Sequence, residues 1–195
     1  MVELDLHSDN CKEYQFWTNY VQKHDNIACA ILSEKTTLNS TGRNLRNKAI
    51  KLGYECKLIT YDERNHLLQD IHEINISALY RQGKRMKDSY LEYPKEMSAN
   101  FVCNSHYSNW FGCFKNNKLY AYIVGAYCGN MVAFSMILGH KEHLNNGIMY
   151  LLSNYIMAYS NNLGIKYCIY SLWSDGTNGL RQFKHNLGFK ITNLQ

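Results

Sequence analysis

Residues 131–173 read MVAFSMILGHKEHLNNGIMYLLSNYIMAYSNNLGIKYCIYSLW. The opening MVAFSMIL (131–138) is apolar almost throughout, as a strand covered on both faces is. It runs into Gly139 and His140 and then a polar loop holding His143, Asn145 and Asn146. From Gly147 onward Ile148, Leu151, Leu152, Tyr155, Ile156 and Tyr159 recur at helical spacing, so a helix is predicted over 147–163 with Gly164 as its stop. KYCIYSLW (166–173) reads as another strand. Strand, helix and strand thus follow one another, with the helix opening where the first strand ends.

Working outward, NWFGCFK (109–115) and LYAYIVGAYC (119–128) are strands joined to each other and to 131–138 by Asn-Asn-Lys and Gly-Asn, short turns suited to antiparallel pairing. Upstream, a helix is predicted at 13–22, a strand at 26–33, a helix at 41–52 stopped by Gly53, and a strand at 55–60. Leu67, Ile71, Ile74 and Ala78 mark one face of a helix reaching to about Tyr80. The single proline, Pro94, sits in a tract that reads as a loop. Downstream, a short helix at 178–187 ends at Gly188, and KITNL is a final strand.

At 195 residues, 46% hydrophobic and 19% charged, the chain is an ordinary globular protein with room for a proper core. The net charge of +5 suits phosphate-bearing ligands and equally a solvated basic surface. No apolar run reaches the ~18 residues of a membrane span, and MVELDLHSDN has no apolar core of a secretory signal, so a cytoplasmic protein off the membrane is expected. The seven cysteines are odd in number and form no CxxC pair, which points to free thiols. Cys103 with His106, and His140 with His143, are lone pairs lacking a second pair of ligands, so no metal is expected. No P-loop, dinucleotide fingerprint or Ser-His-Asp order is present.

The element order is strand, helix, three antiparallel strands, helix, strand, helix, strand. It resembles the GNAT acyltransferase fold, an α/β fold with a mixed central sheet flanked by helices. NNGIMYLLSNYIMAYSNNLGIKYCIYS (145–171) looks like the stretch from the cofactor loop through the central helix into the next strand of that superfamily. GLRQFKHNLGF (179–189) is similar to its last helix and Gly-Phe turn, and Phe183-Lys184 with Gly188-Phe189 resembles the FemAB and BioF2-like branch. So does STGRNLRNKAIKLGYECKLI (40–59). The resemblance implies one GNAT-like domain over 40–195, with 1–39 an N-terminal extension packed on it.

It also implies a site. In GNAT proteins the acyl carrier lies between the two parallel strands with its pyrophosphate on the helix mouth, where unpaired N–H groups and the dipole favour anions. His143, Asn145, Asn146, Gly147 and Ile148 would form that cofactor site here, the plainer reading being an ordinary asparagine N-cap. His140, past the strand end, would be the general base that takes the amine proton. Lys184 shares the buried side of its helix with Leu180, Phe183 and Leu187; it either snorkels to water or stabilises charge in the site. Arg81, Gln82 and Arg85, with Ser171, Trp173 and Asp175, are expected to bind the acceptor.

The implied activity moves an acyl group, most simply acetyl from acetyl-CoA or another acyl-CoA, to an amine of a small metabolite, amino sugar or peptide. The loop has Leu144 and Met149 where most CoA-using relatives carry Arg or Gln and Gly or Ala. Two further readings therefore stand beside it: a Fem-type transfer from aminoacyl-tRNA, and a non-catalytic binding protein on a decayed GNAT scaffold.

Overall fold

The computed structural model describes residues 5–6, 12–33, 35, 37–98 and 106–193, so Cys11 and Cys103 lie outside the described residues. The chain begins with helix α1 (Lys12–Lys23), strand β1 (Ile27–Ile31), helix α2 (Ser40–Lys51) and strand β2 (Glu55–Ile59). Helices α3 (Tyr61–His66) and α4 (Leu68–Ile76) lead to a small hairpin, β3 (Tyr80–Arg81) and β4 (Lys84–Arg85), and a single turn α5 (Asp88–Leu91). Three long strands follow: β5 (His106–Lys115), β6 (Lys118–Cys128) and β7 (Met131–Gly139). A 3-10 helix (Lys141–Asn146) then leads into α6 (Ile148–Asn162), β8 (Tyr167–Leu172), α7 (Asn178–Asn186) and β9 (Lys190–Thr192).

Seven strands form one sheet in the order β2-β5-β6-β7-β8-β1-β9. Among the described residues β7 and β8 alone pair in parallel, and the other ladders of this sheet are antiparallel. This is the predicted mixed sheet, with the predicted parallel pair around α6. The β5–β6 hairpin closes on Asn116 and Asn117, both in the left-handed region that a two-residue turn of this kind needs.

Alternation along the strands divides the core. One face packs Phe111, Ile123, Val132 and Phe134 against Ala49 of α2 and Ile148, Leu152 and Ile156 of α6. The other packs Trp110, Tyr122, Val124 and Leu138 against Ile71 and Ile74 of α4. Farther along that face Val21 of α1 meets Ile27, Met131, Ala133 and Ile169.

Two expectations change. The helix predicted to run to about Tyr80 stops at Ile76, and the backbone turns back as the β3–β4 hairpin. Gln82 (φ 52°) and Gly83 (φ 75°) make its turn, and their two left-handed positions cannot be accommodated in a helix. The helix also starts earlier, in two pieces, because Thr60 and Glu63 form a reciprocal capping box. The segment 1–39, expected as an extension packed on the domain, supplies β1, which lies inside the sheet between β8 and β9. Among the described residues, no helix is long and apolar enough to cross a membrane.

Candidate functional site

The parallel pair is short. Met131, Val132 and Ala133 face Tyr167, Cys168 and Ile169, and beyond them the two strands no longer pair although both continue. The cause lies on β7, where Met136 pairs with Val124 but Phe134 with Gly125. Ser135 is therefore an extra residue, a bulge, and its hydroxyl donates to the Val124 carbonyl at 3.1 Å. A bulge bends its strand and strengthens the local twist. It turns β7 away from β8 and interrupts the burial of an otherwise apolar strand at Ser135–Ile137.

The opening is a cleft of about 990 Å³. Its floor and walls include Ile137 and Gly139 of β7, Met149 and Tyr150 of α6, Tyr170 of β8 and Phe183 of α7. The β3–β4 hairpin overhangs it with Tyr80, Arg81 and Gln82, and Thr177 donates to Gln82 Oε1 from the far side. Among the described residues lining the cleft, the charged ones are Arg81 and Lys141, and no carboxylate joins them. Both cations and the amino-terminal dipole of α6 thus favour an anion.

The first turn of α6 has no side-chain cap, and its helical bonding begins with the Leu151 N–H on the Gly147 carbonyl, so the N–H groups of Ile148, Met149 and Tyr150 lie at the open helix end. Asn145 lines the cleft, while its carbonyl accepts from Lys48 Nζ at 2.7 Å. Asn146 turns away and donates to the Tyr54 hydroxyl at 3.1 Å. Gly147 is left-handed (φ 82°), its N–H is bonded to the Leu144 carbonyl, and a Cβ built on it would lie 2.1 Å from the Leu45 carbonyl oxygen. This glycine makes room for helix α2. Ile148 has a fully buried side chain.

Arg81 binds three acceptors: the Gly139 carbonyl at 2.9 Å, the Ile74 carbonyl at 2.7 Å and Ser77 Oγ at 3.1 Å. It ties the end of α4 to the end of β7, and burial holds its guanidinium below its ordinary pKa. Arg85 instead pairs with Asp88 at 2.8 Å on the exposed surface, away from the cleft.

Tyr150 stands in the first turn of α6 with its hydroxyl accepting from Asn186 Nδ2 at 3.0 Å. Asn186 is itself buried and held at its Oδ1 by Asn39 and Gln182, each at 2.9 Å. The phenol oxygen is thus fixed as an acceptor from behind, leaving its own proton to donate into the cleft. Across from it Tyr170 and Phe183 complete an aromatic wall, with the Tyr150 and Phe183 rings 4.8 Å apart.

Lys184 neither snorkels nor lines the cleft. It is fully buried, donates from Nζ to the Leu172 carbonyl, and lies 5.1 Å from the Tyr170 ring centroid. Desolvation lowers its pKa, partly opposed by Asp175. Ser171, in the left-handed region (φ 51°), donates to Asp175, and the Trp173 N–H donates to the Asn26 carbonyl at 2.7 Å. These three residues stand at the end of β8 and just beyond it, and none of them lines the cleft.

The histidines form a separate group over the ends of β6 and β7. His143 stacks on Tyr120 at 4.0 Å and shares a 2.5 Å hydrogen bond from Nδ1 with the Tyr54 hydroxyl. Burial, then the neighbouring His140, hold its pKa below the ordinary histidine value. His140 lies 5.3 Å from His143 and 6.5 Å from Tyr120 between ring centroids, and stands off the cleft wall.

Tyr150 and Tyr170 were not foreseen from sequence. Tyr150 falls outside the apolar stripe read for its helix, and Tyr170 is one residue within a strand. The available signal was that the two elements converge at the splay.

No protein-family description and no curated protein matches this sequence. Solved structures do. FemX aligns with a TM-score of 0.63 at 8% identity, over 86% of this chain and 59% of its own. The C-terminal domain (DUF2156) of a protein described as a lysylphosphatidylglycerol synthetase from Agrobacterium fabrum aligns at 0.61 and 14% identity, covering 86% and 57%. The lysylphosphatidylglycerol synthase structure from Bacillus licheniformis aligns at 0.59 and 15%, covering 86% and 58%. The chain thus spans less than three fifths of each of these relatives' length. The likeness is one of fold alone: the chain shares the mixed α/β fold of FemX and of these synthetase structures.

Proposed function

We propose that the chain is an N-acyltransferase that seats an activated, phosphate-bearing acyl donor in the cleft between β7 and β8 and passes the acyl group to an amine. The observation that carries this reading is the bulge at Ser135. It opens the sheet beside an uncapped helix mouth, in a cleft whose charged lining is cationic. The amine nitrogen bonds to the acyl carbon, the bond to the carrier breaks, and the proton lost by nitrogen ends on the departing thiol or hydroxyl. Tyr150, held from behind by Asn186, donates to the oxyanion that forms between these events. Lys184 supports the aromatic wall as a positioning residue. His140 is given no part as base here, because it stands off the cleft wall.

Acetyl-CoA or another acyl-CoA is the first donor to test. A second reading, an aminoacyl-tRNA donor, is favoured by one feature. Met149 Sδ and Leu144 Cδ2 crowd Gly139 so closely that a Cβ there would meet them at 2.7 and 2.8 Å. Apolar atoms thus occupy the approach to the helix mouth where a pyrophosphate would sit. The acceptor is a small-molecule or peptide amine.

The test is calorimetric titration with acetyl-CoA and with charged tRNA, followed by carrier release in the presence of an amine panel. Saturable binding of one donor and amine-dependent release are expected. Tyr150→Phe should lower turnover by roughly 10²–10³-fold, the typical loss for one oxyanion donor, with donor affinity little changed. Indifference to both donors would overturn the reading and favour a non-catalytic scaffold.

A further inference from the structure

We propose that His140, Glu142 and His143 form a binding site for a divalent cation of the zinc class. One potential ligand atom from each of the three lies within 4.8 Å of the others. The fold produces this arrangement locally. Residues 141–146 are a 3-10 helix with His140 as its N-cap, and in a 3-10 helix side chains three apart eclipse. His140 and His143 therefore share one side, and Glu142 reaches round from between them. A lone HxxH lacks a third ligand in sequence. The carboxylate inside the motif supplies it in space.

The surroundings are those of a ligand set. Metal-bound imidazoles donate their second ring N–H to a fixed acceptor, which sets the tautomer. His143 Nδ1 is fixed against the Tyr54 hydroxyl, itself held by Asn146 Nδ2, and in the tautomer in which Nδ1 donates to that oxygen Nε2 is the ligating atom. His140 Nδ1 is shielded from solvent and has no hydrogen-bond partner. Two imidazoles and one carboxylate suit Zn²⁺, with a fourth position left for water.

Tetrahedral bonds of about 2.0–2.2 Å put ligand atoms roughly 3.3 Å apart, so the three must draw together. Glu142 is exposed and free to do so. Two lysines oppose a cation here: Lys118, which Glu73 holds at 2.6 Å, and Lys115, which lies over the Tyr54 ring. The Glu142 carboxylate offsets part of their charge. Lys141, Leu144 and Asn145 on the other side of the same short helix line the cleft. A bound ion would therefore pin the segment that forms the cleft wall and leads into α6.

The experiment strips the full chain with a chelator and titrates it with Zn²⁺ by calorimetry and thermal melting. One Zn²⁺ per chain and a rise in melting temperature are expected. His143→Ala and His140→Ala should each weaken affinity by about tenfold or more, since even removing an outer-shell partner costs roughly 10–100-fold. Glu142→Gln, at an exposed position, keeps the fold testable should a histidine variant unfold, and it should weaken binding likewise. No saturable binding, or binding that Glu142→Gln and the folded histidine variants leave unchanged, as cysteine ligation would give, overturns the proposal. Neither readout depends on acyl transfer, so this site and the proposed activity fail separately.

Discussion

Lys184 carries a charge into the protein interior, where the Leu172 carbonyl, the face of the Tyr170 ring and the charge of Asp175 relieve it. Lys184→Met keeps the stem and removes the charge. Two effects then oppose each other: the Leu172 carbonyl keeps the Asp175 N–H at 3.2 Å but loses a charged donor, worth roughly 1.5–3 kcal/mol, while a desolvated ammonium disappears. The pH dependence separates them. Burial lowers this pKa, so the unfolded chain binds the proton more tightly than the folded one. The penalty is complete below the folded pKa and fades as pH rises to the ordinary value of 10.5. The stability of the wild type relative to Lys184→Met, from urea melts, should therefore grow as pH climbs toward 10.5 and level off above it. A difference flat across that window would mean that the ammonium bears no burial penalty.

At the level of elements, Gly147 and Arg81 show what the cleft rests on. Gly147 is left-handed and lies against the backbone of α2. Gly147→Ala should cost about 2–4 kcal/mol, combining roughly 1–2 for the left-handed conformation with the overlap that pushes α2 from α6. Urea denaturation measures it. A loss below about 0.5 kcal/mol, the range of ordinary surface changes, would show the contact to be yielding. Arg81→Met removes the clamp between α4, the hairpin and Gly139. Amide exchange across residues 78–86 should quicken by about tenfold or more, the effect of losing ~1.4 kcal/mol or more of local stability, with hydrogen bonds to a charged group worth roughly 1.5–3. Unchanged exchange would leave the hairpin held by its own turn. Long periodic elements such as α6 and the β5–β7 meander were legible in the sequence because their burial repeats at a fixed period. The hairpin was not, because two-residue strands have no period and Gln82-Gly83 imitates a helix stop. Nor was the bulge: Ser135 is one polar residue in an apolar run, and only the register against β6 reveals that it is unpaired. The parallel strands, and hence the place of the cleft, could be read. Of the side chains read as site residues, Arg81, Gln82 and Asn145 line the cleft, whereas Lys184 is drawn off it by the Leu172 carbonyl and the 3-10 helix carries both histidines to its other side.

For the whole molecule, the decisive strand is β1. Ile27, Ala28 and Ala30 are fully buried and Cys29 is 3% exposed. β1 pairs with β8 on one side and β9 on the other, so it bridges the core of the sheet to its last strand. Sequence order placed residues 1–39 outside a domain of 40–195, because strand adjacency in space need not follow chain order. Cutting the chain at residue 40 would expose the unpaired edges of β8 and β9 together and uncover Met131, Ala133 and Ile169, which α1 and β1 shield. Tyr170 and the Leu172 carbonyl that holds Lys184 belong to the strand so exposed. The 40–195 fragment should therefore fail to give a sharp unfolding transition and should bind a hydrophobic dye, whereas the full chain melts cooperatively. A gentler version leaves the chain intact. Ile27→Asp places a carboxylate at a fully buried position in the cluster of Val21, Met131, Ala133 and Ile169, and should cost about 4 kcal/mol. A fragment that melts as sharply as the full chain would show that β1 is dispensable and that the sheet closes without it.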